Sequence, residues 1–281
     1  MSRANGRLVL VATPIGNLGD LSPRAAEELA RADLVCCEDT RRTGRLLQHA
    51  GVTARQLLSV NDHTEAARIG EVLRRLGRGE RVALATDAGM PGISDPGERM
   101  VRAAAAEGFT VEVVPGPSAL VAGLVVSGLP TGRFVFEGFL PRRGSGRTER
   151  LEALAAEERT IVLYEAPHRA ARTLADLAAA LEAGRRVVVA RELTKLHEEV
   201  WRGTLGESLE WAEEQVRGEL VLVVAGAPPK VLDEDALIDA VRKLLALGVS
   251  VREAATELAH RFGVPKRRVY DLALKERVRG G

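Results

Sequence analysis

Aromatic residues form only 3% of this 281-residue chain, so any core must be built mainly from Leu, Val and Ala. Cysteine is nearly absent as well. Cys36 and Cys37 are adjacent in an apolar run, where strand neighbours point to opposite faces, and neither belongs to a CxxC pair. A disulfide scaffold is excluded, and both thiols read as small buried side chains. No apolar run reaches membrane-spanning length, and the apolar stretch within MSRANGRLVLVATPIG is too short for a signal peptide, so the expected location is the cytoplasm. Neither sign of charge dominates: the net charge of +1 leaves no overall nucleic-acid footprint. The familiar catalytic signatures are missing too. The chain has no GxxxxGK[ST], no GxGxxG after the first apolar run, no GxSxG and no HExxH. Its five histidines are dispersed without metal-ligand spacing, so no metal is expected.

What is present is the mixture of a packed globular protein, 46% hydrophobic and 28% charged. Short apolar runs recur at 7–12, 33–38, 81–86, 110–115, 160–165, 186–191 and 219–226. They are nearly continuous in Val, Leu and Ala, as in strands buried on both faces. Between them 23–31, 64–77, 97–107, 167–182 and 206–216 carry helical spacing. This alternation predicts α/β units and mostly parallel sheets. The run at 199–203 reads as an added antiparallel strand. The stretch PGPSALVAGLVVSGLPTG (115–132) reads as a turn, an apolar helix and a Gly/Pro exit, suited to a joint between two halves. A second break falls at Ala227-Pro228-Pro229-Lys230, and 233–247, 250–262 and 266–277 follow as helices. The expected division is therefore an α/β domain over 1–115, a second over 116–228 and a small helical domain over 229–281.

In open parallel sheets, ligands gather beyond the carboxyl ends of the strands. The most unusual residues of this chain fall there: TPIGNL from Thr13, TDAGMPGISDPG from Thr86, PGPSA from Pro115, YEAPHR from Tyr164 and ARELTK from Ala190. Gly permits close backbone approach and Pro fixes φ. Together they form rigid, carbonyl-lined walls suited to an adenine edge or a cationic sulfonium. Ser118 is placed to cap the helix after it, where backbone N–H groups receive a carboxylate. Charge is also uneven. Arg142, Arg143, Arg147 and Arg150 form a basic patch, and 230–281 holds eleven Lys/Arg against eight Asp/Glu.

In order, TPIGNLGDLSPRA, CEDTRRTGRLL, TDAGMPGISDPG, VPGPSA, FEGFLPR, YEAPHR and ARELTKLHEE resemble the motifs of the bacterial ribosomal RNA small-subunit methyltransferase I family. The resemblance covers roughly 7–226 and continues more loosely beyond. It implies a tetrapyrrole-methylase-like (class III methyltransferase) fold, with two α/β domains, a cofactor cleft between them and a small C-terminal helical domain. It also implies S-adenosylmethionine as cofactor and a cytidine 2′-hydroxyl of 16S ribosomal RNA as acceptor, free or within the small subunit. The implied cofactor wall is Pro14, Asp87, Ala88, Gly89, Ser94, Pro117, Ser118, Ala119, Tyr164, Arg191 and Ala225, joined by Glu165 and Glu192. A homodimer is implied in the same way. A tetrapyrrole or other small-molecule methyltransferase of the same fold is the alternative.

A ribose hydroxyl is a weak acid, so transfer to its oxygen benefits from a base or a nearby cation. Glu165, Glu192 and Lys195 are the catalytic candidates. Arg41, Arg42, Arg142, Arg143, His168 and Arg169 are the candidate RNA contacts. Glu165 and Glu192 have a second reading as partners of Arg169 and Arg191, and positioning without a base is a further possibility. Asp39 and Asp62 read as caps or turn residues. In the tail, an apolar helix, the turn Phe262-Gly263-Val264-Pro265 and a basic helix look helix-turn-helix-like, with Lys266, Arg267 and Arg268 facing phosphate. The plainer reading of that tail is a cap on a partner subunit.

Overall fold

The computed structural model describes residues 6–213, 216–228 and 234–279. Positions 214–215 and 233 of two expected helices, and Pro229 and Lys230 of the expected break, lie outside the described residues. The chain divides into one compact unit over 1–227 and another over 228–281.

The first half of the larger unit is a five-stranded parallel sheet. Its strands are β1 (Arg7–Val11), β2 (Leu34–Cys37), β3 (Leu57–Ser59), β4 (Arg81–Ala85) and β5 (Thr110–Val114). Their order is β3-β2-β4-β1-β5. The helices between them are α1 (Pro23–Arg31), α2 (Thr40–His49), α3 (Glu65–Gly77) and α4 (Glu98–Ala106). Alternate residues feed two separate cores. Leu8, Leu34 and Leu84 pack with Val72 and Met100, whereas Val9, Val11 and Ala83 pack with Leu29 and Leu47. Cys36 and Cys37 are both buried in β2, and burial pushes the Cys36 thiol up to about 12.

The second half begins with α5 (Ala119–Ser127), in the stretch read as a joint. Gly123 lets this helix lie on the second sheet, since a Cβ there would meet Val221 Cγ1 at 2.6 Å. The second sheet holds β6 (Phe134–Gly138), β7 (Thr160–Glu165), β8 (Arg186–Arg191), β9 (Glu199–Thr204) and β10 (Leu220–Val224), in the order β6-β7-β10-β8-β9. Helices α6 (Ser145–Ala155), α7 (Ala170–Leu181) and α8 (Glu207–Glu213) complete it.

This sheet corrects the expectation of mostly parallel pairing. Only β6–β7 is parallel; β10 runs antiparallel to both neighbours, and β9 is antiparallel to β8. A buried antiparallel strand between two covered faces has the same continuous apolar run as a parallel one, so its direction is not written in its composition. Leu220, Leu222 and Val224 face one core while Val221 and Val223 face the other. The reversal matters for the site, because Leu220 at the start of β10 lies opposite Glu165 and Arg191 at the ends of their strands.

In the smaller unit α9 (Glu234–Ala246), α10 (Val251–Phe262) and α11 (Lys266–Arg279) surround a core of Leu237, Val241, Ala255, Leu258, Val269 and Ala273. Ser250 and Glu253 form a reciprocal capping box at the start of α10, and Gly263 closes that helix in the left-handed region.

Candidate active site

The loops after β1 and β4 are tied to each other. Thr13 N–H donates to the Gly89 carbonyl at 2.9 Å, and Gly89 N–H donates back to Thr13 at 3.1 Å. Further along, the buried Glu65 carboxylate accepts from the amides of Gly97 (3.1 Å) and Met100 (3.0 Å). It thereby satisfies donors that the start of α4 would otherwise leave unpaired. Gly97 is required there: its φ is +138° and a Cβ would meet Leu84 Cδ2 at 2.9 Å. Clamped at both ends, the twelve-residue loop 86–97 forms one wall of a cleft.

That cleft, of about 370 Å³, is lined by Ile15, Glu38, Arg42, Asp87–Met90, Ile93–Asp95, Ser118, Ala119, Phe139, Tyr164–Pro167, Ala190, Leu193 and Glu219–Val221. Asp87, Ala88, Gly89, Ser94, Ser118, Ala119, Tyr164 and Glu165 of the expected wall come together here. Ser118 stands at the N-cap of α5 but makes no capping bond, contrary to expectation; its hydroxyl interacts with the Tyr164 phenol. The phenol oxygen also accepts from the Leu120 amide at 2.9 Å. Pro14 lines a neighbouring hollow instead. Pro117, Arg191, Glu192 and Ala225 line neither. Ala225 is misplaced by the direction of β10. It follows the strand's carboxyl end, where its amide bonds to the Arg186 carbonyl at the start of β8, whereas Glu219 at the amino end reaches the cleft. Arg191 is occupied by Glu199, at 2.7 Å.

The neighbouring hollow, of about 340 Å³, is bounded by Pro14, Gly16, Leu18, Thr43, Arg45, Leu46, Thr86 and Lys195. It shares Ile15, Arg42, Asp87, Ala88 and Glu219 with the cleft. Arg42 bridges the two, 3.3 Å from Asp87, whose carboxylate also accepts from the Asp39 amide. The buried hydroxyl of Thr86 has no partner among the described residues. Arg41 instead folds back on Asp39, which caps α2 and is held down at about 2 by that contact.

Acidic groups crowd the cleft. Burial, reinforced by Glu38, Asp62, Asp87 and Glu219, pushes the Asp95 carboxyl up to about 7. Burial raises Glu38 as well, with Asp87 adding to the effect. Sequence reasoning passed over Asp95, Glu38 and Glu219. Asp95 could have been picked out from its place between Ser94 and Pro96 in the loop; Glu219 could not, because it precedes a strand whose reversal was not foreseen.

The three catalytic candidates are differently engaged. Lys195 Nζ donates to Glu192 at 2.7 Å and Glu219 at 2.9 Å. Burial alone would lower its pKa, but those two carboxylates outweigh burial and raise it, so Lys195 stays protonated. For Glu192, burial raises the carboxyl, yet Lys195 and the Glu219 amide bring it below its ordinary value. Glu165 is held inside the frame. Its carboxylate accepts from Thr173 (2.5 Å) and the Ala166 amide (2.8 Å) and pairs with Arg169 (3.2 Å). Arg169 also donates to the Leu140 carbonyl at 2.6 Å.

Arg147 departs from the basic patch assigned to it. It is 4% exposed and donates to Asp176, the Pro141 carbonyl and Thr173. Arg150 pairs with Glu137. Arg142, Arg143 and His168 are exposed, as are Lys266, Arg267 and Arg268 of the smaller unit, where Arg268 lies 3.3 Å from Glu234. No group of acidic, His or Cys side chains with metal-binding geometry occurs among the described residues, and no helix among them is long and apolar enough to cross a membrane.

Residues 7–208 match the family model of tetrapyrrole (corrin/porphyrin) methylases. Two solved structures share the fold. A cobalamin biosynthetic enzyme, cobalt precorrin-4 methyltransferase, superposes with a TM-score of 0.59 at 19% identity, over 79% of this chain and 95% of its own. Uroporphyrin-III C-methyltransferase from Thermus thermophilus, complexed with S-adenosylhomocysteine, gives 0.55 at 19% identity, over 78% and 96%. Two such sheets with the cleft among their loops define a class III methyltransferase of the tetrapyrrole methylase fold. Residues 232–277 match the RsmI C-terminal HTH domain. Curated relatives named ribosomal RNA small subunit methyltransferase I are 48% identical in Synechocystis (96% of this chain, 98% of that protein) and 44% in Mycobacterium tuberculosis (99% and 98%). The chain belongs to this ribosomal RNA small subunit methyltransferase I family.

Proposed function

We propose that this protein transfers a methyl group from S-adenosylmethionine to the 2′-hydroxyl of a cytidine in small-subunit ribosomal RNA. The observation that carries this reading is the pair of hollows on shared walls, one rich in carboxylates, the other rimmed by Arg42, Arg45 and Lys195.

The chemistry of the first hollow fits the cofactor. Ile15, Phe139, Tyr164 and Val221 offer an apolar bed for adenosine, while Glu38, Asp87 and Asp95 supply the negative charge that a cation prefers. When bound, S-adenosylmethionine supplies an electrophilic methyl group on a positively charged sulfur. The carboxylates favour that cation over the uncharged product, which helps loading and release. Arg42 and Arg45 attract phosphate and orient the acceptor in the second hollow, while Lys195 is held on Glu192 and Glu219 and shapes its wall. Transfer of that methyl group would break its bond to sulfur, leave S-adenosylhomocysteine and free the proton of the ribose hydroxyl, for which a carboxylate of the cleft would be the acceptor. We assign that role to Asp95, which lines the cleft beside Ser94 and whose carboxyl is pushed by burial up to about 7, where a general base is most effective. Glu165 acts as a brace for the loops around it.

Arg142, Arg143, His168, Lys266 and Arg267 add contacts to the RNA. The enzyme works in the cytoplasm on free ribosomal RNA or the small subunit. It pairs as a homodimer, a reading supported by the exposed Val113, Val121 and Val125. The test is to supply methyl-labelled cofactor with unmodified small subunits in one reaction and a uroporphyrinogen-type tetrapyrrole in another. Label in the RNA supports the reading. Label in the tetrapyrrole with none in RNA moves the function to small-molecule methylation.

A further inference from the structure

The segment 192–198 at the edge of the second hollow is strained and tightly held, yet it presents a bare apolar side chain. Glu192 and Thr194 both adopt left-handed backbone angles, φ +51° and +65°. For a β-branched residue this is a true outlier, of the kind that persists only where its surroundings enforce it. The enforcement is visible. Thr194 Oγ1 accepts from the Asn17 amide at 3.1 Å, the Thr194 amide donates to Glu198 at 2.6 Å, and the Lys195 ammonium is fixed on two carboxylates. The Glu198 amide closes a turn onto the Lys195 carbonyl at 3.2 Å, leaving Leu196 and His197 at its tip. Leu196 is 92% exposed, the most exposed of the large hydrophobic side chains among the described residues. A surface leucine so held makes no contribution to a core.

We infer that Leu196 is a wedge, a positioning residue that enters the stack vacated by the acceptor nucleotide and keeps that nucleotide turned out toward the second hollow. The inference rests on the RNA reading above. A stacked strand shows its 2′-hydroxyls at the groove surface; for the ribose to sink between Arg42 and Arg45 onto the wall shared with the cleft, its nucleotide turns out of the stack. Unstacking costs free energy, which proteins that extrude or kink nucleotides offset with an apolar side chain inserted between bases. Such a side chain must be exposed before binding and rigidly aimed. Leu196 meets both requirements: it is exposed, and the turn that carries it is anchored on both sides by Thr194 and Lys195.

The test compares wild type, Leu196→Ala and Leu196→Phe on unmodified small subunits. Two readouts are taken: methyl transfer, and dimethyl sulfate reactivity of the RNA bases with enzyme bound in the presence of S-adenosylhomocysteine. Wild type should make the bases at the methylated position more reactive. Leu196→Ala should keep its footprint and a KM within about threefold, lose the enhanced reactivity, and fall roughly tenfold or more in kcat. Leu196→Phe should retain both. Unchanged kcat and unchanged enhancement in Leu196→Ala would overturn the wedge while leaving the RNA reading intact. Absence of RNA label with wild type would overturn that reading, and the wedge with it.

Discussion

Replacing Arg147 by Ala should weaken the fold and spare RNA binding. The guanidinium is almost wholly buried and makes bonds of 2.8 Å to Asp176, 2.9 Å to the Pro141 carbonyl and 3.0 Å to Thr173. Removing one member of a buried charged pair costs about 3–5 kcal/mol, because the partners left behind are desolvated without compensation. Three hydrogen bonds to a charged group, at about 1.5–3 kcal/mol each, set an upper bound of about 4.5–9 kcal/mol, reduced where water replaces a lost bond. Asp176 is one-third exposed and partly rehydrates, which places the loss toward the lower end. Urea unfolding followed by tryptophan fluorescence suits the measurement, since Trp201 and Trp211 both pack beside the second-sheet core. The midpoint should fall by about 1–2 M, given slopes of a few kcal/mol per molar. Arg143→Ala, at an exposed position, should leave the midpoint in place and weaken RNA binding. An Arg147→Ala protein of unchanged stability but reduced RNA affinity would refute the argument and restore Arg147 to the RNA-facing patch.

Titration of Asp95 should link cofactor affinity to pH. Its ionised form favours a cationic ligand, so affinity for S-adenosylmethionine measured by calorimetry should rise from pH 6 to pH 8 and level off above, and Asp95→Asn should flatten that rise. The effect on folding has the opposite sign. A carboxyl raised from 3.8 to about 7 contributes stability that is full below pH 4 and is lost as pH rises through 7, which thermal melts of the ligand-free protein should report. Glu65→Ala leaves the amides of Gly97 and Met100 unpaired; a stability loss of about 1–3 kcal/mol with weaker cofactor binding is expected, and unchanged binding would show that loop 86–97 holds its shape without the clamp. A chain ending at Ala227 should bind cofactor within about threefold of the full protein and bind RNA more weakly at low salt, where phosphate contacts count most. Sedimentation should give a dimer that Val125→Lys converts to monomer; a monomeric wild type would remove α5 as the pairing surface.

The strands with long Val/Leu/Ala runs were legible, and so were the loops after β1, β4, β5, β7 and β8, because Gly and Pro punctuate them strongly. Less visible were β3, three half-buried residues at a sheet edge, and β6, whose apolar run Phe134–Phe136 is only three residues long. Helix α2 was hidden by its arginines and Gly44, and α6 by the basic patch read over the same residues. Residue type alone marked Arg147 as a surface cation. Its burial depends on Thr173 and Asp176 arriving from α7, a long-range pairing without a local signal. The direction of β10 was equally silent, and with it the exchange of Ala225 for Glu219 at the cleft.

The central claim is transfer to a ribose hydroxyl, and alkaline digestion of the labelled RNA product tests it most directly. A 2′-O-methyl group blocks attack on the adjacent phosphate. The account predicts that the label survives in an undigested dinucleotide beginning with cytidine. Label released as single nucleotides would contradict it, because the methyl group would then sit on a base.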